Sequence, residues 1–155
     1  MEHTERVRLF VAVWPDEPTR AVLRSVAPER CPGLRPVDPA QWHVTLRFMG
    51  RVDPFVMPAL VEALGSAAAP GGPVEARLGP ATGWLGRGSV LQVPVSGLDE
   101  LAGSVRSSTS GVVPEASDTE PVFRGHLTLA RADRQRRLDA RARAELAGRP
   151  VAAAF

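Results

Sequence analysis

The chain has no lysine, asparagine, isoleucine or tyrosine, and all 19 of its basic residues are arginine. Those four amino acids use AT-rich codons, so a GC-rich coding sequence explains the bias, and arginine abundance alone does not argue for a ligand. A single cysteine, Cys31, excludes an intrachain disulfide and points to a reducing compartment, the cytoplasm. No run approaches the ~18 apolar residues of a membrane span, and the apolar stretch from Leu9 to Trp14 is too short for a signal-peptide core. The three histidines and one cysteine show no local chelating spacing, so no metal site is expected. A strong charge of either sign is also missing. The net charge of +2 permits an anionic ligand without demanding one.

What remains is an ordinary globular composition, 44% hydrophobic and 23% charged over 155 residues, enough for one domain with a real core. Arg6 to Trp14 reads as a strand ended by Pro15. Asp16 is placed to cap a helix reaching about Ala27, with Pro18 in its first turn. Cys31 to Pro39 reads as Pro-rich loop, Trp42 to Met49 as a strand, and Asp53 to Ala69 as a helix with Pro58 delaying its start. Val74 to Leu78 and Ser89 to Val95 read as strands around a Gly-rich turn, and Leu98 to Ser107 as a short helix. Ser108 to Pro121 reads as loop, Val122 to Arg131 as a strand, and Asp133 to Ala147 as a charged helix with Leu138, Ala142 and Leu146 inward. Its arginines, balanced by Asp133, Asp139 and Glu145, are most simply a solvated face. The order predicts an α+β fold of two similar lobes, each ending in a strand followed by a helix.

The informative feature is a repeated tetrapeptide. His43-Val44-Thr45-Leu46 returns as His126-Leu127-Thr128-Leu129, so two of the three histidines open the same motif. Both copies fall in apolar runs of strand character. Residues i and i+2 of a strand share a face, so each motif presents an imidazole and a hydroxyl about 7 Å apart, at ~3.3 Å per residue. A single His-x-Thr is most often a half-buried histidine bonded to a neighbour. Two copies with matching flanks reverse that balance. Face counting adds Arg47 to His43 and Thr45. It sets Arg131 opposite to His126 and Thr128, unless the strand twists or ends at Ala130. Trp42 counts as core. Phe10 and Phe48 count as core first and base-stacking surfaces second. Trp84, in the Gly-rich turn, is a weak stacking candidate, and His3 sits near a frayed terminus.

These residues resemble the 2H (two-histidine) phosphoesterase superfamily, in its RNA 2′,3′-cyclic phosphodiesterase or LigT-like branch. Arg8-Leu9-Phe10-Val11-Ala12 is similar to the family's opening strand. Arg35 to Gly50 is similar to its approach to the first histidine, and Phe123 to Arg131 to its second motif segment. The resemblance implies two pseudo-symmetric lobes with antiparallel sheets flanked by helices, about an active-site groove. It implies hydrolysis of a 2′,3′-cyclic phosphate to a 2′-phosphate, with His126 as base and His43 as acid. Thr45, Thr128, Arg47 and Arg131 would hold the phosphate, and no cofactor is called for. The expected partners are RNA ends carrying the cyclic phosphate, or cyclic nucleotides, and the expected state is a monomer. Gly125 stands where the family has proline, and Gln92 where it often has tryptophan. The chain stops at Val151–Phe155, so one or two of the family's last strands are expected to be missing or supplied by a partner.

Histidine, with an ordinary pKa near 6.5, can give or take a proton near neutrality. Each positioned proton transfer is typically worth about 10²–10⁴ in rate. Two other readings share these residues: a nucleotide- or RNA-binding module that has lost catalysis, and a related activity such as 2′-5′ RNA ligation.

Overall fold

Four aspartates start four of the six helical segments among the described residues. Asp16, Asp38, Asp53 and Asp139 accept hydrogen bonds from the backbone N–H groups of Thr19 (2.9 Å), Ala40 (2.8 Å), Phe55 (3.0 Å) and Arg141 (2.8 Å). Each satisfies a donor that the first helical turn leaves without a partner. The computed structural model describes residues 5–114 and 122–155. His3, and residues 115–121 of the expected loop, lie outside the described residues. The fold is mixed α+β with antiparallel pairing, and the chain divides into two compact units.

The first unit comprises Met1–Val13, Thr45–Val74 and Gly97–Arg124. It holds β1 (Val7–Val13), most of β3 (Val44–Val52), α2 (Met57–Ala68) and α3 (Asp99–Thr109). Asp53 caps a 3₁₀ turn at Pro54–Val56, and the α-helix proper starts at Met57 with Pro58 in its first turn. That proline delays the helix as expected, because its missing N–H costs nothing there. Met49, Val52, Leu60 and Val113 form the core, with Leu9, Val11, Val56 and Val112 packed against it.

The second unit comprises Trp14–Val44, Glu75–Ser96 and Gly125–Phe155. Its helices are α1 (Glu17–Val26) and α4 (Ala140–Leu146). Its central strand β7 (His126–Ala132) pairs on one side with β6 (Val90–Ser96). On the other side β7 pairs with β2 (Leu34–Pro36) and, through Val44, with the start of β3. β6 also pairs with β5 (Gly83–Leu85) and β4 (Arg77–Leu78), and β4 pairs with β8 (Ala153–Ala154). Leu91, Val93, Leu127, Leu129, Ala130 and Val44 are fully buried, and Trp42 is core as expected.

Three expectations need correcting. The Pro-rich loop contains β2, too short and proline-bounded for a sequence pattern to show; its pairing with β7 makes it a strand. The last helix is about half its expected length, and residues 133–139 are irregular. Gly33 packs against this segment: a Cβ there would lie 2.6 Å from the Leu138 nitrogen, and the Gly33 carbonyl accepts from Asp133 N–H (2.8 Å). With no side chain at Gly33 the two backbones approach closely, the Asp133 N–H is satisfied outside a helix, and Leu138 is buried. Finally, Phe10 and Phe48 are not core, at 42% and 39% exposed. Burial along β3 passes from the face of Val44 and Leu46 to that of Arg47 and Met49, which leaves Phe48 outward. The Arg8 guanidinium lies 5.3 Å from the Phe48 ring centre.

Among the described residues no helix is long and apolar enough to cross a membrane.

Candidate functional site

The 3₁₀ turn at Pro39–Gln41, capped by Asp38, delivers the chain to His43. The Gln41 carbonyl then accepts a hydrogen bond from His43 Nδ1 at 2.6 Å. A carbonyl can only accept, so the proton of the neutral ring sits on Nδ1, and Nε2 is the nitrogen suited to catalytic proton transfer. The Trp14 ring lies 5.4 Å from the His43 ring, tilted by 35°, and steadies its plane. Trp14 is 45% exposed. Sequence reasoning passed over it as the end of a strand; a tryptophan just before the terminating Pro15 was the signal available.

Register brings the motifs together. Val44 pairs with Leu127 in an antiparallel ladder. Continued one residue outward from that pair, the register sets His43, just before β3, opposite Thr128 and makes His126 its diagonal neighbour. Such diagonal side chains start about 7–8 Å apart, a gap that two imidazole rings can close around one phosphorus. His43, His126 and Thr128 are all half-buried, while Val44, Leu127 and Leu129 point into the core. Thr45, also half-buried, follows two residues after His43 in β3 and shares its strand face.

β6 completes this surface. Pro94 pairs with His126 and Gln92 with Thr128, so Gln92 lies in one cross-strand row with Thr128 and His43. Gln92 is 6% exposed, and its amide nitrogen lies over Gly83 of β5, 3.5 Å from where a Cβ there would stand. At Gly125 the carbonyl accepts a hydrogen bond from Val95 N–H (2.9 Å), which anchors the start of β7.

The position of Arg131 depends on a bulge. Leu91 pairs with Ala130 and Gln92 with Thr128, so Leu129 is one extra residue in β7. Leu129 and Ala130 are both fully buried, and the alternation restarts in the opposite phase after them. Arg131 is therefore exposed on the His126 and Thr128 face, although regular counting sets it on the other. The bulge supplies the departure from regular counting that the sequence reading named as the condition for Arg131 to join that face.

Two other candidates are placed differently from expectation. Arg47 shares a strand face with Thr45, but at its level α3 covers that face. Its guanidinium is 3% exposed and donates to Thr109 Oγ1 (2.5 Å) and to the Val113 carbonyl (2.7 Å). This corrects Arg47 from a phosphate contact to an internal cation tying β3 to the end of α3. Trp84 pairs with Leu91, on the core face of β6 rather than the face of Gln92. Its Nε1–H donates to the Arg143 carbonyl (3.0 Å), and the Arg143 guanidinium lies 4.5 Å from its ring centre. That covering corrects Trp84 from a stacking surface to a packing residue of α4.

Known proteins share this fold. A family model described as LigT like Phosphoesterase matches residues 13–87. The crystal structure of TT0787 of Thermus thermophilus is 26% identical with a TM-score of 0.70, covering 96% of this chain and 80% of that one. The chain is thus similar to LigT-like phosphoesterases, in sequence over residues 13–87 and in fold over most of its length. E. coli LigT in apo form is 27% identical with a TM-score of 0.61, covering 83% of this chain and 74% of LigT. Its complex with 3′-AMP is 26% identical with a TM-score of 0.64, covering 82% and 74%. Among curated proteins none matches the chain. The LigT-like match spans the first motif, and the solved structures extend the likeness across most of the chain.

Proposed function

We propose that this LigT-like protein hydrolyses the 2′,3′-cyclic phosphate of RNA ends or nucleotides to a 2′-phosphate, by general acid/base catalysis with His43 and His126. The observation that carries the reading is the pairing of Val44 with Leu127, which makes the two histidines diagonal neighbours on one half-buried face. E. coli LigT, a structural neighbour, has been crystallised with 3′-AMP, a nucleotide bearing phosphate on the ribose.

The reaction adds water to phosphorus and breaks the P–O3′ bond. His126, starting neutral, takes a proton from water; His43, starting as the imidazolium, gives its Nε2 proton to the departing ribose oxygen and keeps the Nδ1 proton. Its Nδ1–H bond to Gln41 fixes the tautomer and aims Nε2 outward from that carbonyl. The Thr45 and Thr128 hydroxyls donate to the non-bridging oxygens, where charge builds in the transition state. Arg131 adds a cation on the same face.

An RNA ending in a 2′,3′-cyclic phosphate, incubated in EDTA with product analysis, tests this. The expected product is a 2′-phosphate end. His43→Ala and His126→Ala should each lower kcat by about 10²–10⁴. Full activity in either variant overturns the assignment. Tight binding of a nucleoside 2′-phosphate without turnover would instead mark a binding module, and joining of RNA ends would mark a ligase.

A further inference from the structure

β2 adds a residue to this surface that the motif does not contain. In the β2–β7 ladder Arg35 pairs with Arg131, while Leu34 pairs with Ala132 and Pro36 with Ala130. Paired residues project to the same side of a sheet. Leu34 and Ala130 are buried on the core side, so Arg35 projects with Arg131 to the side of His126 and Thr128. The bulge at Leu129–Ala130 produces this match; in an unbulged β7 both arginines would face away from the histidines. Val90, opposite Arg131 on β6, closes the row.

Two like charges directly opposite one another across a strand pair are unfavourable. Among the described residues neither Arg35 nor Arg131 has a carboxylate within ion-pairing distance. Both are exposed and able to turn their forks toward a shared anion. This row lies three residues beyond Thr128 along β7, roughly 7–10 Å at ~3.3 Å per residue with the bulge allowed for. That separation is on the scale of one nucleotide step. A terminal nucleoside with a 2′,3′-cyclic phosphate carries its other phosphate on the 5′ oxygen.

We propose that Arg35 and Arg131 form a second anion subsite, which holds the 5′-phosphate of the terminal nucleotide. Resting on the phosphodiesterase reading above, this names the substrate class: an oligonucleotide end or a 5′-phosphorylated nucleotide, in preference to a cyclic mononucleotide with a free 5′-hydroxyl. Arg35 binds without taking part in proton transfer.

The test compares kcat/KM for adenosine 2′,3′-cyclic phosphate with that for the dinucleotide ApA ending in a 2′,3′-cyclic phosphate. The wild type should favour the dinucleotide by about 10–100-fold, the range of a charge-assisted contact. Arg35→Gln should bring that ratio close to one, and Arg35→Lys should restore part of it. The preference should also shrink as salt is raised, since the contact is between exposed charges. A wild-type ratio near one, or a ratio that survives Arg35→Gln, overturns the subsite. Calorimetric binding of adenosine 2′-phosphate and adenosine 2′,5′-bisphosphate separates the two proposals. Tighter binding of the bisphosphate that depends on Arg35, with neither cyclic substrate turned over, keeps the subsite and sinks the phosphodiesterase reading. Turnover of both substrates at equal efficiency does the reverse.

Discussion

Replacing Arg47 with methionine separates the two roles that sequence and structure give this residue. Methionine keeps the length and apolar body of the side chain and removes the donors. In the folded protein the Val113 carbonyl would then lose the donor 2.7 Å away. Thr109 would lose one contact but keep the bond from its hydroxyl to the Val105 carbonyl at 2.6 Å. One buried acceptor left without a partner costs about 1–3 kcal/mol. Releasing a guanidinium that is 3% exposed offsets part of this, because its desolvation no longer has to be met. The net expectation is a loss of about 1–2 kcal/mol, a drop in Tm of roughly 2–8 °C for a chain of this size. Thermal unfolding followed by circular dichroism reads the shift, and kcat/KM on a cyclic phosphate, well below both melting points, reads the chemistry. The stability loss should appear with kcat/KM changed less than about fivefold, since the charge lies inside the first unit. An unchanged Tm with kcat/KM reduced a hundredfold or more would return Arg47 to the phosphate and refute the structural assignment.

Two further outcomes follow from the same contacts. Trp84→Phe removes the Nε1–H bond to the Arg143 carbonyl and should cost about 0.5–1.5 kcal/mol of stability while leaving base preference unchanged; a tenfold change in preference among substrates differing only in base would show that Trp84 meets the ligand after all. Asp16→Ala should lower Tm at neutral pH. The Thr19 side-chain and backbone hydrogen bonds hold the Asp16 carboxyl below its ordinary pKa, against a smaller opposing push from burial. A carboxyl lowered in the folded state stabilises above its unfolded pKa, and that contribution disappears as pH falls through the folded value. The Tm gap between wild type and variant should therefore close in acid, and a gap of constant size down to that range would count against the cap.

How far the sequence reaches differs from element to element. Asp16 and Pro18 announce α1, because caps and first-turn prolines act through their immediate neighbours. The two His-x-Thr-Leu runs announce their strands by alternation, which is also local. β2 was missed because three residues ending at Pro36 carry no period; its existence depends on the edge that β7 offers. Trp84 was misjudged because a Gly-rich turn looks exposed until β5 pairs with β6 and sends the ring to the core face.

The candidate site divides along the same line. Which residues are proposed for the chemistry, the repeated pairs His43 with Thr45 and His126 with Thr128, is legible in the chain alone, since side-chain type and spacing of two are properties of the polymer. That the second motif strand carries an extra residue, turning Arg131 and Arg35 to the histidine face, was decided only when β7 found its partners. The withdrawal of Arg47 into the first unit depends likewise on α3 lying over one half of a strand face. A strand dictates which of its own side chains share a face; what that face meets belongs to segments distant in sequence, and no local pattern encodes them.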